Sequence, residues 1–130
     1  MTLQPEQIKT DPDPFEPFHI SQAMRFGDLV FVSGQAALAK NGDLVGVGDF
    51  DAQAEQVFIN LAEVLAAAGS SLGRVIKVTI FLKDMANFPK IVALRERHFS
   101  APYPADTIVE VSALALPELE IEIEAIAATG

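Results

Sequence analysis

Near the end of this 130-residue chain, three carboxylates alternate with apolar residues: Glu120, Glu122 and Glu124 are separated by Ile121 and Ile123. Successive side chains of a strand point to opposite faces, so all three project from one face about 7 Å apart. Such a row is ordinarily a solvated face whose charge discourages edge-to-edge pairing. A member that lines a cleft can instead act as a general base or hold a water. A further carboxylate, Asp106, stands between a Pro104-Ala105 turn and Thr107, at the mouth of the alternating run Ile108, Val109, Val111 and Leu114. It can cap the turn, pair with a neighbouring subunit's Lys or Arg, or face a ligand.

Other chemistries have less to build on. The chain has no cysteine, which removes disulfides, thiol nucleophiles and thiolate metal sites. His19 and His98 are the two imidazoles and share no metal-ligand spacing, so no metal site is expected. His98 closes a helical pattern and is expected to meet the C-terminal carbonyls of that helix. Ser21, Ser33 and Ser112 lie near strands, but none sits in a Gly-x-Ser-x-Gly elbow. The stretch "GVGD" (Gly46 to Asp49) lacks the third glycine of a dinucleotide fingerprint and reads as a loop.

Nine Lys+Arg against eighteen Asp+Glu leave a formal charge of −9. Nucleic-acid binding draws its affinity from neutralised phosphates, so nucleic acid is not an expected partner. Half of the residues are apolar, as in a globular chain, and the length suits a single domain over 1–130. Residues 1–17, punctuated by Pro5, Pro12, Pro14 and Pro17, are expected to run extended over the surface. The first residues carry no apolar run of a signal peptide, and Glu63 interrupts the longest helical candidate. A soluble cytoplasmic protein with no membrane partner is the expectation.

The elements that must position these groups follow from periodicity. "DLVFVSG" (Asp28 to Gly34) reads as a strand, and "KNGD" (Lys40 to Asp43) carries an Asn-Gly hairpin signal, with a partner strand over Leu44 to Gly48. From Asp51 to Ala68 the period becomes helical: Ala54, Val57, Phe58, Leu61, Val64, Leu65 and Ala68 form one stripe, Asp51 caps the start and Gly69 the end. Arg74 to Leu82 is a strand, and Asn87 to Phe99 a helix opened by an Asn cap and Pro89. Thr107 to Leu114 and Leu119 to Ala127 complete the strands. The order ββαβ-α-ββ predicts an α+β fold with two helices on one face of a mixed β-sheet. Several strands are apolar on both sides, so the open face calls for a second copy of the chain and a homo-oligomer.

Four stretches together resemble the RidA/YjgF/YER057c/UK114 family: "SQAMRFGDLVFVSGQAAL", "VIKVTIFLKDMANFP", "YPADTIVEV" and "IEIEAIA". The likeness runs from His19 to Ala127. It implies a chorismate-mutase-like homotrimer with clefts between subunits. It also implies hydrolysis of enamines and imines to 2-oxo acids and ammonia, without a cofactor. Older labels in the family, ribonuclease and translation inhibitor, find no support in the charge balance.

The resemblance also assigns positions. It places Ser33, Gly34 and Ile108 on the ligand cleft and Glu122 at the substrate water, with Glu124 as the alternative register because of an insertion before Pro117. Three positions depart from the typical branch. Ile20 replaces a tyrosine, Val92 an asparagine, and Asp106 the arginine that grips the substrate carboxylate. A charge-assisted arginine contact contributes roughly 1.5–3 kcal/mol, and a like charge adds repulsion, so standard activity toward imino acids is expected to fall. Of the other cations, Arg25, Arg95 and Arg97 are candidates to substitute, and sequence alone places none of them. Three readings follow. The first is a deaminase-like hydrolase of altered specificity, with Asp106 receiving an amine or iminium and Ile20 and Val92 as apolar walls. The second is a weak 2-iminopropanoate/2-iminobutanoate deaminase, and the third a non-catalytic trimeric ligand-binding or protective protein.

Overall fold

The computed structural model describes residues 3–130. Six strands form one sheet: β1 (Glu6–Ile8), β2 (Ala23–Phe26), β3 (Leu29–Gln35), β4 (Val75–Leu82), β5 (Ala105–Glu110) and β6 (Ile121–Ala128). The two helices are α1 (Phe50–Ala67) and α2 (Phe88–His98). The spatial order of strands is β1-β2-β3-β6-β4-β5. All neighbours are antiparallel except β4 and β5, whose parallel pairing follows from the crossover through α2. The expected α+β arrangement, two helices on a mixed sheet, is the one found.

Helix α1 forms where its apolar stripe predicts. Ala54, Val57, Phe58, Leu61, Val64 and Leu65 are buried against the sheet. Its cap is Asp49 and not Asp51: the Asp49 carboxylate accepts from the Ala52 amide at 3.1 Å, while Asp51 stands in the first turn. Helix α2 begins at Phe88 with Pro89 in its first turn, as expected, and Asn87 makes no side-chain cap bond. Asp84 instead accepts from the Ala86 amide at 2.9 Å and caps the short 3-10 turn that leads into the helix. His98 does not serve the C-terminal carbonyls. Its ring stacks on Phe58 with centroids 4.1 Å apart, and Nε2 lies 3.3 Å from the carboxylate of Glu55, to which Arg97 also donates.

The first hairpin differs from the expected one. Leu44 to Gly48 contribute a single bridge, Leu38 to Leu44, because Gly46 and Gly48 take positive φ and break a ladder there. The second strand of the hairpin comes from the other side of β3. β2 and β3 are joined by a two-residue turn, Gly27-Asp28, with Gly27 at φ 61°. The N-terminal segment also does more than cross the surface: Glu6–Ile8 pairs with β2 and buries Ile8. At the other end, β5 stops at Glu110 and does not reach Leu114, since its partner β4 ends at Leu82.

The pleat sorts the side chains into two faces. Val30, Val32, Val78, Ile80, Leu82, Ile121, Ile123 and Ala125 point to the helices and form the core. The opposite face carries Phe26, Leu29, Phe31 and Val109, all exposed, with Phe31 at 45 %. Among the described residues no helix is long and apolar enough to cross a membrane.

Candidate functional site

Glu122 sits on β6 opposite Phe81 of β4, on the open face of the sheet. Its neighbour on the other side is shaped by an irregularity in β3. Val32 pairs with Ala125 and Gln35 with Ile123, so β3 spends one residue more than β6 over this span, a bulge at Ser33-Gly34. The bulge is held by Ser33, whose amide donates to Gln22 O at 2.9 Å and whose hydroxyl donates to Ser21 O at 2.6 Å. Gly34 is needed for a steric reason: a Cβ there would lie 2.7 Å from the Glu122 carboxyl carbon and 3.0 Å from its Cγ. The carboxyl of Glu122 therefore lies in the space that a side chain at position 34 would fill.

Half-burial pushes the Glu122 carboxyl above the ordinary carboxylate range, and the nearby charge of Glu124 adds to the shift. No side chain among the described residues bonds to it. A carboxyl of this kind exchanges a proton with a water more readily than a solvated one, as a general base must. Glu124, the alternative register, is exposed on the same face and lines a concavity of about 250 Å³ with Phe31, Lys77, Thr79 and Ile126. Glu120 precedes the strand: its amide donates to Gln53 Oε1 at 2.9 Å, and its Oε2 is buried without a partner. Gln53 is fully buried and also donates to Glu118 O at 2.8 Å, so it fixes the point where β6 begins. Ile20 is exposed, one residue before the Ser21 carbonyl that holds Ser33.

Asp106 occupies a different place. In the parallel pairing it lies opposite Val78, and Ile108 opposite Ile80, so both take the helix-facing side of the sheet. There α2 presents Phe88, Val92 and Arg95, spaced i, i+4 and i+7 on one side. Arg95 donates from Nε to Asp106 Oδ2 at 2.9 Å and from Nη2 to Oδ1 at 3.0 Å, a bidentate pair that engages both carboxylate oxygens. The guanidinium carbon also lies 5.9 Å from the Phe88 ring centroid. Both side chains are largely shielded, Arg95 at 25 % exposure and Asp106 at 17 %.

The structure thus gathers the residues read from the sequence into two groups. Ser33, Gly34 and Glu122 meet on the open face with Ile20 beside them. Asp106 and Ile108 share the helix-facing side at the β5 edge, with Val92 exposed on the side of α2 that carries Arg95. One chain does not bring the groups together. The partner that sequence reasoning could not assign is Arg95, whose signal is its shared helix side with Phe88 and Val92.

With this geometry in place, the relatives become informative. The sequence profile of the family described as Endoribonuclease L-PSP matches residues 9–129. The chain belongs to the RidA/YjgF family. A RutC family protein of Pyrococcus horikoshii is 44% identical over 117 residues, covering 89% of this chain and 90% of that one. The 2-iminobutanoate/2-iminopropanoate deaminase of Dermatophagoides farinae is 33% identical over 115 residues, 88% of each chain. The crystal structure of RidA from an Antarctic Psychrobacter superposes with a TM-score of 0.86 at 36% identity, covering 95% of this chain and 98% of the other. This RidA-family chain therefore shares its fold with a RidA and is similar in sequence to a protein described as an imine deaminase, while Asp106 pairs with Arg95 at the corner where α2 meets β5.

Proposed function

We propose that this RidA-family chain hydrolyses the C=N bond of small imines, including those formed from enamines, with specificity altered at the Asp106–Arg95 corner. Water adds to the imine carbon, the tetrahedral carbinolamine collapses, and the products are a carbonyl compound and ammonia. The observation that carries the reading is Glu122: a half-buried carboxyl without a side-chain partner, seated on Gly34 and raised above the usual carboxylate range. Such a group takes a proton from the attacking water and returns it to the departing nitrogen. The backbone of Ser33 and Gly34 borders the same spot.

The separation of the two groups supports a site completed between copies of the chain. One copy supplies Ile20, Ser33, Gly34 and Glu122, and a neighbour supplies Val92, Ile108 and the Asp106–Arg95 pair. The exposed apolar residues of the open face, Phe26, Leu29 and Phe31, support the same homotrimeric arrangement with clefts between subunits.

The test is a coupled assay in which 2-aminoacrylate is generated in situ and oxo acid and ammonia are measured. Wild type is expected to accelerate release, and Glu122→Gln to remove the acceleration while the fold persists. A wild-type protein that leaves the spontaneous rate unchanged with 2-aminoacrylate and with uncharged imines would overturn the reading.

A further inference from the structure

Glu122 is seated by the backbone of Gly34, and glycine is the residue least able to hold its own backbone still. The bulge must therefore be restrained from outside position 34. Ser33 supplies part of the restraint, through its amide to Gln22 O and its hydroxyl to Ser21 O. Both bonds tie the bulge to the segment that leads into β2 and leave Gly34 free to turn. The remaining bond is of another kind: the side-chain amide of Gln35 donates from Nε2 to Ser33 O at 3.0 Å. It runs from Gln35 back to Ser33 and closes a ring in which Gly34 is the one intervening residue.

The surroundings of Gln35 keep that ring closed. Gln35 is 3 % exposed, and its backbone pairs with Ile123, the residue after Glu122. Asn60 of α1 donates to Ala36 O at 2.9 Å and to Leu38 O at 2.8 Å, which fixes the chain just beyond it. Beside it, and also lined by Gln22, Thr10 and Asn60, lies a cavity of about 20 Å³, room for a single water. The orientation of the amide is set as well, because only its N–H end can serve a carbonyl acceptor.

We infer that Gln35 is a positioning residue for Glu122: through Ser33 O it fixes the turn at Gly34, and so the depth at which the Glu122 carboxyl sits. That Glu122 moves a proton in imine hydrolysis rests on the function proposed above; its seat does not. The charges around this carboxyl are few. Glu120 and Glu124 flank it on β6, β3 carries none, and its partner on β4 is Phe81. Lys83, whose amide donates to Glu120 O, gives its ammonium to Pro117 O, and Lys77 gives its own to Thr107 Oγ1. A change at Gln35 alters none of these groups, so a shift in the titration of Glu122 reports where its carboxyl sits.

The deciding experiment follows the glutamate carboxyls of the isotope-labelled protein by NMR as a function of pH, with Glu122 assigned by the signal lost in Glu122→Gln. Gln35→Met keeps the length of the side chain and removes the donor; Gln35→Asn keeps the donor and shortens its reach. In both, the carboxyl is expected to leave its half-buried seat. Its titration should then move down from the raised wild-type position toward the ordinary carboxylate range. The kcat for imine hydrolysis should fall about tenfold with KM little changed, less than a full displacement of roughly 1 Å would cost, because Ser33 keeps two anchors. Asn60→Ala is the control for stability alone. It removes the bonds to Ala36 O and Leu38 O without touching Ser33, and should lower the melting temperature while Glu122 titrates as in wild type. A Glu122 titration unmoved in both Gln35 variants, or moved equally by Asn60→Ala, overturns the inference. A titration that moves in a protein without imine turnover removes the hydrolase reading and leaves this one standing; turnover with an unmoved titration does the reverse.

Discussion

The carboxyl of Glu122 and the missing side chain of Gly34 share one volume: a Cβ on Gly34 would come within 2.7 Å of the Glu122 carboxyl carbon. The bulge in β3 creates this approach, since the extra residue between Val32 and Gln35 brings the backbone of position 34 against β6. A catalytic candidate is thus positioned by an absence of atoms, and that relationship makes it testable without touching the carboxylate.

Gly34→Ala is expected to lower imine hydrolysis about 100-fold, the scale of a roughly 1 Å displacement of a reacting group. The conflicting atoms belong to a half-buried side chain and not to backbone, so Glu122 swings outward and the fold survives. Circular dichroism should be unchanged while the rate falls. A Gly34→Ala variant with wild-type rates would show that the carboxyl need not sit on the glycine.

Glu122→Gln separates activity from stability. Burial raises the folded-state pKa of this carboxyl above its unfolded value, so its protonated form favours folding and that contribution is lost as pH rises through the folded pKa. The glutamine variant, which mimics the neutral form, should melt higher than wild type at neutral pH and equal it below the ordinary carboxylate range. The wild-type rate should rise with pH through the raised pKa of the free carboxyl, and the variant should be slower by about 10²–10⁴-fold.

The Arg95–Asp106 pair should be measurable as a coupling. Removing either partner alone strands a largely shielded charge, whereas replacing both does not. A double-mutant cycle with Arg95→Gln and Asp106→Asn is expected to give a coupling of roughly 1–3 kcal/mol by chemical denaturation. A value near zero would mean that solvent screens the pair despite its burial.

Gln53 anchors the start of the strand that carries Glu122. Its fully buried amide serves Glu120 N, Glu118 O and Gly46 O. Gln53→Ala should cost roughly 2–4 kcal/mol, because it leaves three part-buried backbone groups without this partner and opens a void. Hydrogen exchange at Ile121 and Glu122 should quicken more than at β3, which a uniform loss of stability would not produce.

For the open face, Phe31→Lys places a charge among the exposed apolar residues Phe26, Leu29 and Phe31. Sedimentation should show three associated chains for wild type and a single chain for the variant. A monomeric wild type would remove the argument that the two residue groups are joined between copies.

Much of this architecture is written in local periodicity. The apolar stripe from Ala54 to Leu65 specifies α1, Pro89 marks the first turn of α2, and alternation from Ile121 to Ala127 sets Glu122 and Glu124 on the face opposite the core. These features depend on spacings of two, three and four residues, which a chain carries wherever it goes. The lack of cysteine and the excess of acid are equally local facts.

Long-range pairing is not carried that way. Nothing near Asn41-Gly42 announces that Leu44 to Gly48 will make one bridge while β2 pairs with β3 through Gly27-Asp28. Asp106 faces the helices because β5 pairs in parallel with β4, and it meets Arg95 because the crossover lays α2 over that pair. Register decides which of two faces a strand residue takes, and register is set by partners far along the chain. Local spacing was enough to specify both helices, the strands β3 to β6 and that Glu122 lies outside the core. The seat of Glu122 on Gly34 and the answer of Arg95 to the charge of Asp106 arise only on folding, because both depend on contacts between segments that spacing along the chain does not relate.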